Sequence, residues 1–199
     1  MSYFGDDEGK WLVRTAREVL EEFFRRGDVV YFEPPSARLR EPAGVFTTIR
    51  TYPAGALRGC IGYPEPVKPL YRAISEVSVI AATDDPRFPP MSADELDSVT
   101  IEVSALTPPR LLDVPKDEIA KRILVGRDGL LLRHGHHSGL LLPQVAVEEG
   151  WNAEDFLRHV SLKAGLPSDA WQWPDTDIYT FQAEVFAERK PKGVVERVI

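Results

Sequence analysis

The sequence predicts an α+β protein built around an antiparallel sheet. Two kinds of pattern carry this: runs in which apolar and polar side chains alternate residue by residue, and runs in which apolar residues recur at three- and four-residue steps. A third observation fixes the class, because the two kinds do not alternate regularly as a doubly wound fold requires. No linker long enough to separate two independent domains interrupts the 199 residues, so residues 1–199 are expected to form one domain, with room for a second lobe.

Along the chain, Leu12, Ala16, Val19, Leu20, Phe23 and Phe24 mark one face of a helix from Asp6 to about Arg26, closed by Gly27. Residues 33–43 contain three prolines and read as a loop. Val45 to Arg50 and Leu57 to Ile61, separated by Tyr52-Pro53-Ala54-Gly55, predict an antiparallel hairpin in the middle of the sheet. Beyond Pro64 and Pro66 a second helix is expected to about Thr83, with Val67, Leu70, Ile74, Val77 and Ala81 on one side. Asp84-Asp85-Pro86 ends it, since the residue before proline is pushed out of helical geometry.

Ser92 and Glu95 have capping-box spacing for a short helix over Ala93 to Asp97. The clearest strand is Thr100 to Leu106, with Ile101, Val103 and Ala105 facing the core and Glu102 and Ser104 facing away. A short helix from Lys116 to Ile123, a tight Asp128-Gly129 turn and a hairpin of Leu130–Arg133 with Leu140–Leu142 follow. Asn152 is placed to cap a helix over Ala153 to Ala164, and Ile178 to Glu188 alternates as a returning strand. The end, ERKPKGVVERVI, reads as loosely held.

Composition excludes several function classes. The longest apolar runs fall far short of a membrane span, and the first ten residues have neither a basic start nor an apolar stretch, so no membrane insertion and a cytoplasmic home are expected. A net charge of -7 opposes broad attraction to phosphate backbones, so nucleic acid is not the expected partner. A single cysteine, Cys60, excludes an intramolecular disulfide and a multi-thiolate zinc site. No glycine-rich phosphate loop and no Gly-x-Ser-x-Gly elbow occurs, and no cofactor is expected.

Strand alternation places Arg58, Cys60 and Gly62 on one face, and a cation near a thiol favours the nucleophilic thiolate. Cys60 has two readings: a reactive thiol, or a small buried hydrophobe with Gly59 and Gly62 allowing close backbone packing. If the two strands share a sheet, Glu102 can pair with Arg58, either as a solvated ion pair or to orient the arginine toward an anionic ligand. Asp85 and Arg87 lie in a rigid loop through Pro86, Pro89 and Pro90, which either lines a site or locks a connector. His134, His136 and His137 have short, metal-like spacing. They lie where a hairpin turn is needed, however, with no acidic or thiol ligand adjoining, so no metal site is expected. The tryptophans, with Trp171 and Trp173 near the end, read as core or interface anchors.

With Leu57-Arg58-Gly59-Cys60-Ile61-Gly62, the chain resembles the AMMECR-type domain family. The resemblance continues through Gly44-Val45-Phe46, Asp85-Pro86-Arg87-Phe88-Pro89-Pro90, Ile101-Glu102-Val103-Ser104, Leu142-Pro143-Gln144-Val145, Phe156-Leu157 and Lys163-Ala164-Gly165-Leu166. It implies an antiparallel sheet of about five strands flanked by helices, a smaller subsidiary lobe, and a cleft between. It implies further that Arg58, Cys60, Asp85, Arg87, Glu102, Ser104 and Gln144, which match the family's motifs, line that cleft, and it lends no support to a metal at His134 to His137. Memo-type and radical-SAM-type proteins are the partners it suggests. Two functions follow as expectations. One is a cleft for a small, anionic ligand, extending to a cysteine-dependent enzyme of unnamed reaction, with Arg58 as anion contact, Cys60 as nucleophile or redox centre and Glu102 as orienting group or proton acceptor. The other is a docking module in which the six-residue motif is structural.

Overall fold

Asp6, Asp7 and Glu8 put negative charge in the first turn of helix α1 (Asp6–Arg26), and Arg25 and Arg26 put positive charge in its last, both complementing the helix dipole. Gly27, in the left-handed region, closes it. The computed structural model describes residues 2–198. After α1 come β1 (Val45–Thr51), β2 (Leu57–Tyr63), α2 (Leu70–Thr83), β3 (Val99–Leu106), β4 (Arg110–Leu111) and α3 (Lys116–Arg122). The chain continues through β5 (Asp128–His134), β6 (His137–Leu141), α4 (Pro143–Glu148), α5 (Ala153–Lys163), β7 (Asp177–Glu188) and β8 (Val195–Arg197). The strand pairings described below are all antiparallel, as expected for an α+β chain, with β4 and β8 as short additions to the expected strands.

Two compact units divide the chain. One is made of residues up to Leu106 together with those from Glu184 onward, the other of Thr107–Ala183. In the first unit β1 pairs with β2 on one side and β3 on the other, α2 packs on β1 and β2, and α1 packs on β3 and α2. Leu12, Ala16, Leu20, Val45, Ile49, Ile74, Val77, Ile101 and Val103 are fully buried in its core. The backbone of α2 comes so close to β2 that a Cβ on Gly59 would stand 2.1 Å from the Ala81 carbonyl oxygen. Only glycine fits there without moving the helix. The helix starts at Leu70, later than expected, because Pro69 has extended backbone (ψ 135°), which leaves Val67 outside and exposed.

A buried ion pair ties this unit together. Arg17 Nε donates to Glu188 Oε1 (3.0 Å), and its remaining nitrogens reach the carbonyls of Leu96 (2.7 Å) and Val99 (2.8 Å), while Glu188 also accepts the N–H of Ile101 (3.0 Å). A charge pair taken out of water persists only when its other donors and acceptors are met in this way. The C-terminal stretch is held firmly, contrary to expectation. β8 pairs with β7, Val195 is buried, and Arg197 bonds Glu184 (3.0 Å), Asp6 (2.9 Å) and the Phe4 carbonyl (2.7 Å). Ile199 lies outside the described residues.

In the second unit β5 lies between β6 and β7, and β4 pairs with β7. Ile119, Leu130, Leu132, Phe156, Leu157, Val160 and Ile178 form a separate core under α3 and α5. Asn152 caps α5 as its side chain predicts, accepting the Asp155 N–H at 2.9 Å. Asp128-Gly129 is not a turn: both residues belong to β5, where the buried Asp128 carboxylate accepts from Arg127, the Leu124 N–H and Gln182. The turn is Gly135-His136, which closes the His134–His137 pair. Where this unit begins and ends, Thr107 N–H donates to the Gln182 carbonyl and Gln182 N–H to Thr107 Oγ1, both at 2.8 Å.

Replacing Gly59 with alanine forces a methyl group against the α2 backbone. The expected result is a loss of about 3 kcal/mol of unfolding free energy, read from urea denaturation.

Candidate functional site

Thr48 in the middle strand β1 stands opposite Cys60 of β2 on one side and Glu102 of β3 on the other. Directly paired residues point to the same face, so Cys60, Thr48 and Glu102 form one row across three strands. Arg50 and Thr100 make the row beside it, and Gly62, Phe46 and Ser104 the row on the other side. The opposite face carries Val45, Thr47, Ile49, Ile101 and Val103, all buried beneath α1 and α2. Thr48 Oγ1 donates to Cys60 Sγ (3.3 Å), and Cys60 is half-buried.

Among the described residues β2 pairs only with β1, so it is an edge strand and not part of the middle of the sheet, as the hairpin was expected to be. The free edge is met by the loop after α2. Asp85 Oδ2 accepts the Cys60 N–H (2.8 Å), and Arg87 Nη2 donates to the Cys60 carbonyl (3.1 Å). These two side chains also hold each other, with Arg87 Nε and Nη2 at 2.9 and 2.7 Å from the Asp85 oxygens and the Arg87 N–H at 3.1 Å. The Arg87 hydrogen bonds hold the Asp85 carboxyl far below the usual carboxylate range, with the Cys60 and Arg87 N–H groups assisting and burial opposing. Asp85 and Arg87 thus occupy the positions that a neighbouring strand would take, which protects an exposed edge from pairing with another chain.

Arg58 is placed differently from expectation. Ile49 is opposite Gly59 and Arg50 is opposite Leu57, so Arg58 is the extra residue of a bulge, which redirects its side chain. Its Nε and Nη2 form a two-point contact with Glu95 (2.7 and 3.0 Å), and Nη1 donates to the Pro89 carbonyl (2.9 Å). This bond from Arg58 lowers the Glu95 carboxyl, outweighing burial, which raises it. The expected Arg58–Glu102 pair does not form, because β1 stands between the two strands and sets them about 10 Å apart, two strand spacings. The cation beside Glu102 is Arg50, at 3.9 Å.

The face therefore carries Cys60, Glu102 and Ser104, with β1 between the cysteine and the other two, and adds Thr48 and Arg50 on that middle strand, which sequence reasoning missed. The alternation of β1, combined with the hairpin register, was the signal that could have found them. Gln144 is exposed on α4 in the second unit. His134 Nδ1 lies 3.1 Å from Thr176 Oγ1 and 3.2 Å from the Asp175 carbonyl, and His137 Nδ1 lies 3.2 Å from the Ala164 carbonyl. Among the described residues, no group of three or more His, Cys, Asp or Glu side chains could hold a metal ion. Trp171 is buried in the second core and Trp151 stacks on His159. No helix among the described residues is long and apolar enough to cross a membrane.

The AMMECR1 family model matches residues 13–186. A protein of Methanopyrus kandleri is 52% identical over 192 residues, covering 95% of this chain and 92% of its own length. One of Thermococcus gammatolerans is 50% identical over 198 residues, covering 96% of each. Among solved structures, the crystal structure of an uncharacterised protein from Pyrococcus horikoshii covers 98% of both chains, with 47% identity and a TM-score of 0.77.

Asp85→Asn should cost about 2 kcal/mol near neutral pH, the usual effect of weakening charge-assisted hydrogen bonds. Because the folded chain keeps Asp85 ionised below the unfolded value of about 3.9, its contribution is complete above that pH and shrinks as the pH falls toward the folded value. Denaturation curves of the wild-type and Asp85→Asn proteins should therefore converge in acid.

Proposed function

The chain belongs to the AMMECR1 family, and the matched residues 13–186 take in the whole polar face of β2, β1 and β3; we propose that this face binds a small ligand carrying an anionic group. In this reading Cys60 is the nucleophile or redox centre and Glu102 the orienting group or proton acceptor. One observation carries it: Cys60 is fixed at its N–H by Asp85, at its carbonyl by Arg87 and at its sulfur by Thr48, yet is not sealed into a core. A cysteine used for packing needs apolar neighbours and none of these bonds. An anchored cysteine that is only half-buried meets the first geometric requirement of a nucleophile.

Arg50 takes the role of anion contact. The Nε, Nη1 and Nη2 atoms of Arg58 each already have an acceptor, whereas Arg50 has a side chain 42% exposed and an ion-pair contact at 3.9 Å. An exposed pair of that kind contributes about 0–1 kcal/mol, so a ligand can displace it at little cost. Asp85 and Arg87 act as positioning residues through the Cys60 peptide, Ser104 adds a hydroxyl two residues from Glu102, and Gln144 has no part in the proposal. A reduced thiol suits the cytoplasm. Since Cys60 is the sole cysteine, alkylation reports on it alone. Folded protein is expected to take up one iodoacetamide label, and a Cys60 that stayed inert until denaturant was added would remove its proposed role.

A docking function is favoured by a different observation. Leu124, Val125 and Val147 are 50%, 38% and 60% exposed, and a Cβ on Gly126 would lie 3.2 Å from Val147 Cγ2, so they share one apolar patch on the second unit. A Memo-type protein is the partner to try first. Tagged chain should retain it in a pull-down and Val147→Glu should lose it; equal recovery with both would count against this surface.

A further inference from the structure

Arg50 and Glu102 give the polar face one positive and one negative group 3.9 Å apart, with side chains 42% and 24% exposed. A ligand bearing a single charge satisfies one of them and is repelled by the other. A ligand bearing both charges can replace the internal pair, exchanging one ion pair for two. Net charge points the same way: on a chain of -7, an anion meets a repulsive field that a dipolar molecule without net charge does not. Thr100, directly opposite Arg50, and Ser104, on the far side of Glu102, add hydroxyls able to donate or accept along the same face.

Resting on the reading of this face as a ligand site, we propose that it recognises a zwitterion of the α-amino acid class, with the carboxylate on Arg50 and the ammonium on Glu102. The single carbon between those groups in such a ligand suits the close spacing of the two side chains. Cys60 stands diagonally across from Arg50, and diagonal neighbours in a sheet are about 7–8 Å apart. A ligand held by both charges therefore has the sulfur within reach of its side chain. Glu102 acts here as an orienting group, and a disulfide-bearing amino acid would be placed to exchange with Cys60.

Symmetric disulfides of different charge test this. In each case the Cys60 sulfur attacks one sulfur of the probe, a mixed disulfide forms as the probe's S–S bond breaks, and the released thiol carries the proton that left Cys60. The probes are L-cystine (zwitterionic), dithiodipropionate (anionic), cystamine (cationic) and bis(2-hydroxyethyl) disulfide (neutral), followed by intact mass. Every rate is divided by the rate with the neutral probe on the same variant, which cancels changes in the thiol itself. The expected ratio for cystine is about tenfold or more, the lower end of electrostatic steering, and it exceeds the other two. Arg50→Gln and Glu102→Gln should each bring it toward one, and Arg50→Lys should restore part of it. A cystine ratio near one, or one untouched by both substitutions, would overturn the inference while labelling by the neutral probe left the site itself standing. A higher ratio for dithiodipropionate than for cystine would also overturn it, in favour of a simple anion. Failure of every probe to label the folded chain would sink the underlying reading of Cys60, and the inference with it.

Discussion

The approach of α2 to β2 at Gly59 is the constraint on which the candidate site depends. With no side chain at that position, the helix backbone can lie directly on the strand, the Ala81 carbonyl against Gly59. The helix ends two residues later, at Thr83, so the next residues of the chain emerge at the outer edge of the same strand. Asp85 and Arg87 are thereby delivered to the peptide of Cys60, one residue beyond Gly59. A larger residue at position 59 would lift the helix, move the loop with it and release the cysteine peptide. The glycine, the cysteine and the Asp-Pro-Arg loop are parts of one mechanical arrangement. Their separation in sequence conceals this.

The charged side chains of the first unit fall into two groups according to what they can still bind. Arg17 and Glu188 are out of water and fully engaged, joining α1 to the start of β3 and the end of β7. Arg58 is only partly buried but likewise fully engaged, with Glu95 and the Pro89 carbonyl as partners. Removing one member of such a set leaves the other unpaired, which is why these groups maintain structure and are poorly suited to exchange partners. Arg50 and Glu102 belong to the second group. Their contact is long and half in solvent, and that is the condition under which an incoming charge can compete.

The sequence made much of this legible and left specific parts hidden. The amphipathic spacing of α1, the alternation of β3 and the Asn152 cap are local properties, and they appear where the side chains predict. The bulge at Arg58 and the position of β1 between β2 and β3 arise from hydrogen bonding between segments far apart in the chain, so composition does not display them. Asp128-Gly129 has the chemistry of a turn, but a buried carboxylate with several donors stabilises extended backbone there instead. The polar tail reads as free in sequence for a similar reason: Arg197 finds its partners at Phe4 and Asp6, nearly the full length of the chain away. Local pattern reports which face a residue occupies; its partner is decided by topology.

The two hydrogen bonds between Thr107 and Gln182 bear on how the units share stability. They draw together the ends of the inserted segment, so while that segment is folded the surrounding chain experiences it as a short connection. If the insert melted, the same stretch would become a long flexible loop that the host must close, at an entropic cost of about 3 kcal/mol from the logarithmic dependence on loop length. Chain connectivity alone therefore makes the thermal endurance of the first unit conditional on the second. Natural or designed changes that loosen the insert would lower the tolerance of the cysteine-bearing half without touching any residue in it.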